Sequence, residues 1–231
     1  MQDARLEALV PFLSEERLKK FDNVLSRRTR KLCLVLENVY QSRNASAVMR
    51  TCDGLGVQDV HLIEDVNPWV FNRIVSKGTP SWLTLHRYRS EKKPSEACIA
   101  QLKNLGYKIA VTSPHVNGFQ PHLLPTSDPV ALVMGTEFTG VSEEMMDAAD
   151  YHVYTPMHGF AESLNISVAA GIIMHRILEN IHQRPPIDWS ITGEEADQLR
   201  VEWAMKSVRK SKALLKHLGI DPDTGKATQN K

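Results

Sequence analysis

The sequence predicts an α/β protein, a mainly parallel sheet with helices on both faces and short helical extensions at both ends. Three observations carry this. Apolar strand-like runs alternate with helix-period stretches along most of the 231 residues. Two of those runs, LCLVLE at 32–37 and VALVM at 130–134, are almost continuously apolar, as strands covered on both faces must be. Near the end of the alternation a Pro- and Gly-containing loop leads into a long apolar helix reaching His182.

In chain order, residues 4–12 and 14–28 read as two short helices broken near Pro11 and Ser14. The first strong strand is 32–37. A loop over 38–43 leads to a helix at 45–55, with Asn44 as N-cap and Gly56 as stop. A strand at 60–63 follows, then an unassigned stretch at 67–79, then strands at 82–88 and 108–112 around a helix at 95–105. Residues 114–129 are turn-rich. After the 130–134 strand come GTEFTG, a short helix at 142–149 and a last strand at 151–155 closed by Pro156. The long helix is expected to start near Ser163. Ile166, Ala169, Ala170, Ile173, Ile177 and Ile181 form its apolar stripe, widened by Val168 and Ile172. That width asks for cover on more than one side, by the sheet and by a second subunit. QRPPID at 183–188 reads as a linker, and 193–218 as one basic closing helix. The expected division is 1–31, 32–182 and 183–231.

Composition narrows the function classes. No apolar run approaches the roughly 20 residues of a membrane span, and the first 20 residues carry no signal-peptide pattern. Cys33, Cys52 and Cys98 are far apart and the nine histidines form no HExxH pair, so neither a disulfide framework nor a metal is assigned. A reducing cytoplasm is the expected location. Net charge is +1, but residues 1–31 and 200–231 together carry +8 and residues 32–199 carry −7. Basic ends on an acidic body fit a polyanion gripped by the ends, with Arg27, Arg28, Arg30, Lys31, Arg209, Lys210 and Lys212 as its candidate contacts. The same charges also suit solvated helix faces.

Three loops at predicted strand ends hold the unusual residues, at the edge where open α/β sheets bind ligands. They are N-x-x-A-x-x-R from Asn44 to Arg50, G-x-E-x-x-G from Gly135 to Gly140, and P-M-x-G-x-x-x-S-L-N-x-S from Pro156 to Ser167. None is a GxGxxG or P-loop fingerprint. In this order they resemble the three motifs of the SpoU branch of the SPOUT RNA 2′-O-ribose methyltransferases, over about residues 32–181. The short helical ends are most similar to its tRNA-modifying members.

The resemblance implies an α/β knot, in which the C-terminal segment threads a loop as a deep trefoil, although threaded chains are rare. It also implies a homodimer through the helix after the third motif, S-adenosylmethionine as cofactor, and tRNA as partner. Thr112, Gly135, Thr155, Met157 and Leu164 fall at cofactor-contacting positions. Thr155 stands where relatives often have Ile or Val, a change a main-chain contact survives. Arg50, Asn44, Glu137, Ser163 and Asn165 match the catalytic polar positions. The family assigns activation of the ribose hydroxyl to the arginine. A guanidinium is a poor base at neutral pH, so stabilising the developing alkoxide is the better physical description. The expected reaction is methylation of the ribose of the D-loop guanosine at tRNA position 18. The alternatives are the same chemistry on ribosomal RNA or another tRNA position, and a non-catalytic RNA-binding protein of the same fold.

Overall fold

The structure is a computed structural model that describes residues 3–39, 41–65, 78–89, 92–113, 116–136 and 139–227. The chain divides into two compact units, Thr29–Trp189 and a smaller one made of Met1–Arg28 with Ser190–Lys231. The two ends, read in sequence as separate extensions, therefore share one unit.

The larger unit is built on six parallel strands: β1 (Leu32–Glu37), β2 (Asp59–Ile63), β3 (Thr84–Tyr88), β4 (Lys108–Thr112), β5 (Val130–Met134) and β6 (Tyr151–Val153). Their order is β3-β2-β1-β5-β4-β6. The chain runs one way from β1 to β3 and resumes on the other side of β1, so β1 and β5 flank the point where the winding reverses. Leu34 sits between Val60 on one side and Leu132 on the other, and every β1 residue is buried.

Alternate residues of each strand serve opposite faces. Leu32, Leu34, Leu36, Val130 and Leu132 pack beneath α3 (Ser42–Leu55) and α6 (Ile166–His182) through Val48, Met49, Ile173, Met174 and Ile177. Cys33, Val35, Ala131 and Val133 face α4 (Pro94–Asn104) and α5 (Glu143–Asp147) through Cys98, Leu102 and Met145. A short helical turn, α7 (Pro186–Trp189), occupies part of the expected linker.

Several boundaries move. α3 starts at Ser42, with Gln41 at the cap position, so Asn44 lies inside its first turn rather than capping it. Its other end behaves as expected: Gly56 takes a left-handed φ of 82° and returns its N–H to Cys52 and Asp53. The strand expected from Trp82 begins at Thr84, because Pro80 starts a 3-10 turn over Thr79–Trp82. β6 stops at Val153, and the next N–H, of Tyr154, turns to the Phe119 carbonyl. α6 begins at Ile166, not near Ser163, and its cap is Asn165, whose side chain accepts from Ser167 N at 2.9 Å.

The smaller unit holds α1 (Ala4–Leu9), α2 (Glu15–Leu25), α8 (Gly193–Ser207) and α9 (Ser211–His217). The expected single closing helix breaks at Val208–Lys210, where Lys210 takes a φ of 56°. Its core is Leu6, Leu9, Phe21, Leu25, Leu199, Trp203 and Leu215. Phe21 meets the Trp203 ring edge-on at 5.6 Å, and the Arg28 guanidinium lies 5.7 Å over that ring. Arg28 is 1% exposed, which corrects its assignment as a surface RNA contact: a basic cluster before a strand looks solvated until its aromatic partner is known.

Candidate active site

The C-terminal ends of β4, β5 and β6 open onto a cavity of about 570 Å³, within the usual range for a small-molecule site. Five expected cofactor positions, Thr112, Gly135, Thr155, Met157 and Leu164, all line it, and Ser163 joins them. Met134, Val153, Ile166, Ala169 and Ile173 supply apolar wall; Ser113, Thr136, Thr139 and Glu162 supply polar edge. The Thr112 hydroxyl donates to the Val133 carbonyl at 3.0 Å, joining the two strand ends that frame the floor.

Gly135 is where the wall demands glycine. A Cβ there would lie 2.0 Å from the Gly140 carbonyl oxygen, because the chain after β5 doubles back on itself. Thr136 and Gly140 exchange backbone hydrogen bonds at 2.9 and 3.1 Å, and the Thr136 hydroxyl accepts from Thr139 N. Glu137, the expected acidic member of this motif, lies outside the described residues.

Sequence reading missed the residue that holds this loop. Glu37, the last residue of β1, is 2% exposed. Its carboxylate accepts from Ser142 N at 2.8 Å, from the Ser142 hydroxyl at 2.8 Å and from the Ser95 hydroxyl at 2.6 Å. One buried carboxylate thus fixes the start of α4 and the cap of α5, two residues after Gly140. An acidic residue closing an otherwise apolar run was the available signal, but its partners Ser95 and Ser142 lie far along the chain.

The remaining expected catalytic residues sit on α3 and at the start of α6. The Asn165 amide donates to Asn44 Oδ1 at 3.3 Å, and Asn44 donates to Gln41 Oε1 at 3.3 Å. Further along the same pair of helices Cys52 and Met174 bring their sulfurs to 3.9 Å, and Thr51 lies opposite Gly171. Asn165 and Ser163 are exposed. Arg50 is also exposed, and it falls about 120° around α3 from Asn44 at 100° per residue. It is not among the residues lining the cavity.

Of the expected RNA contacts, Arg27, Arg209, Lys210 and Lys212 are exposed and Lys31 is half-buried. Lys212 pairs with Asp223 at 3.1 Å. Arg30 is engaged by buried Asp59 at 2.8 Å. Asp59 also meets His86 at 2.9 Å; burial alone would push its carboxyl up, but the His86 hydrogen bond and the Arg30 charge hold it below the usual carboxylate range. The three cysteines are buried free thiols, and burial pushes Cys98 up to about 12, which leaves it unreactive. Among the described residues no group of three or more His, Cys, Asp or Glu could hold a metal, and no helix is long and apolar enough to cross a membrane.

A parallel α/β sheet with a backbone-walled cavity at its C-terminal edge defines a ligand-binding protein of the doubly covered class. Comparison with known proteins narrows this. The model of the SpoU rRNA Methylase family matches residues 31–175. The chain is 37% identical over 205 residues to a tRNA (guanosine(18)-2′-O)-methyltransferase of Borreliella burgdorferi, covering 89% of this chain and 92% of that one. It superposes on the crystal structure of the A. aeolicus TrmH/SpoU tRNA modifying enzyme with a TM-score of 0.75 at 29% identity, over 85% of this chain and 98% of that one. The SpoU methyltransferase AviRb from Streptomyces viridochromogenes, solved in complex with the cofactor AdoMet, shares the fold at 21% identity and a TM-score of 0.54, over 71% and 62% of the two chains. The chain belongs to the SpoU rRNA Methylase family.

Proposed function

We propose that this protein transfers a methyl group from S-adenosylmethionine to the 2′-hydroxyl of the D-loop guanosine at tRNA position 18. The observation that carries the reading is that Thr112, Gly135, Thr155, Met157 and Leu164, far apart in sequence, converge on one cavity. The relative at 37% identity, which bears the corresponding name, supports the substrate.

The cavity suits the cofactor in size and chemistry. Gly135 keeps the backbone clear of side-chain bulk, and Met157 and Leu164 offer apolar wall beside loop N–H and C=O groups. When bound, S-adenosylmethionine supplies an electrophilic sulfonium methyl. Arg50 stabilises negative charge developing on the ribose oxygen. Asn44 and Asn165, joined at 3.3 Å, tie the start of the Arg50 helix to the cap of α6, which continues the cofactor loop. Ser163 and Glu137 complete the polar set. Bringing hydroxyl and methyl into line is the chain's principal contribution.

The same reading includes a trefoil knot, which the resemblance to the SpoU branch implies. It includes a homodimer through α6, where Val168 and Ile172 stay 49% and 42% exposed on one face. It places the protein in the cytoplasm, with Arg27, Lys31, Arg209, Lys210 and Lys212 meeting RNA phosphate. Incubation with labelled S-adenosylmethionine and an unmodified tRNA transcript tests the reaction. Label recovered in an alkali-resistant dinucleotide, the mark of a 2′-O-methyl, supports it; no transfer to RNA contradicts it.

A further inference from the structure

Phe160 has no packing role in the chain. It is 109% exposed, and among the described residues no large apolar side chain is more so. A single exposed apolar residue is ordinary on a protein surface. The position of this one is not. Met157, three residues before it, and Glu162, Ser163 and Leu164, just after it, all line the cavity. His158, Gly159, Phe160 and Ala161, between them, are exposed. The loop is thus anchored in the cavity wall at both ends and carries an aromatic ring to solvent between the anchors.

We propose that Phe160 is a stacking platform for a nucleobase of the RNA, beside the ribose that receives the methyl group; this rests on the methyl-transfer reading above. The chemistry of the step supplies the reason. In a loop of a folded RNA, a ribose drawn into a recessed cavity takes its base out of the stack, and the freed base loses the faces of its neighbours. An apolar ring restores one face without reading base identity, because every base has a π-face. The ring therefore holds the opened nucleotide, while the cavity wall and the α3 residues act on its ribose.

Phe160→Ala and Phe160→Trp, assayed with unmodified tRNA transcript, test the proposal. Phe160→Ala should raise KM for tRNA about tenfold, toward the low end of base–aromatic stacking. Its S-adenosylhomocysteine affinity and its mass by light scattering should match the wild type. Phe160→Trp should restore KM, and its added indole fluorescence should be quenched when tRNA binds with S-adenosylhomocysteine present. An unchanged KM for Phe160→Ala overturns the proposal. So does a fall to half the wild-type mass, which would assign the ring to packing between copies of this chain. Wild-type protein that transfers no methyl to RNA, while binding S-adenosylhomocysteine, overturns the functional reading beneath it and is seen before either variant is made.

Discussion

On the proposed reading Arg50 acts on the substrate, whereas Thr155 only lines the cavity. Arg50 is exposed on α3 and is not among the residues lining the cavity. If it stabilises the developing alkoxide as proposed, Arg50→Ala should lower transfer by at least about tenfold, equal to about 1.4 kcal/mol of barrier, while S-adenosylhomocysteine affinity stays within about twofold. Smaller losses in single-turnover rate would remove Arg50 from the centre of the mechanism. Thr155 is the opposite case. Its hydroxyl oxygen is buried with no hydrogen-bond partner, although the residue lines the cavity. A buried hydroxyl left unpaired costs about 1–3 kcal/mol, so Thr155→Val should raise the urea midpoint and leave cofactor affinity unchanged. A lower midpoint would show that the hydroxyl is satisfied. The motifs marked Thr155 for the cavity wall, where it lies, and marked Arg50 for the catalytic role proposed above. Glu37 and Arg28 were not legible in the sequence, because a residue's burial depends on partners that sequence spacing does not reveal: Ser95 and Ser142 for one, Trp203 for the other.

At the scale of elements, β1 and β5 were legible because central strands must be apolar on both faces. The start of α6 was not. Ser163, Asn165 and Ser167 can each cap a helix, and Asn165 is the one whose side chain also reaches Asn44. The exposed Val168–Ile172 face of the same helix should bury itself against a second copy. The wild type should be a dimer by light scattering and Ile172→Glu a folded monomer, since an unpaired buried charge costs several kcal/mol. A monomeric wild type would end the idea. The pairing of β2 with β3 carries a pH dependence. His61 is 1% exposed, stacked on His86 at 4.3 Å and bonded to the Tyr88 hydroxyl at 2.8 Å. Burial, then the charge of His86, pushes it down to about 3, against the opposing pull of Asp59. The unfolded chain takes up this proton at about 6.5 and the folded chain does not. His61 thus contributes stability that is complete above about pH 6.5 and is lost as pH falls toward 3. Urea midpoints should drop between pH 7 and 4.5, and His61→Asn should flatten that drop whatever it does to stability at pH 7.

For the molecule as a whole, charge distribution is what the sequence showed and the structure sorts. Deleting residues 193–231 is not a clean test of the basic ends, because it removes Trp203, Leu199 and Leu215 from the core of the smaller unit. The exposed set Arg27, Arg209, Lys210 and Lys212 is the proper target. Replacing all four by Gln should flatten the dependence of tRNA affinity on salt, by about 0.7–0.9 in log–log slope for each phosphate no longer neutralised. Cofactor affinity should not move, and an unchanged slope would make these charges solvated faces. The central claim is the position and chemistry of the product. Wild-type protein, S-adenosylmethionine and an unmodified tRNA transcript, followed by nuclease digestion and mass mapping of the fragments, measure it directly. The expected product is one 2′-O-methylguanosine, in the D-loop at position 18. A methyl group on a base, or on a ribose of the anticodon loop, would contradict the claim.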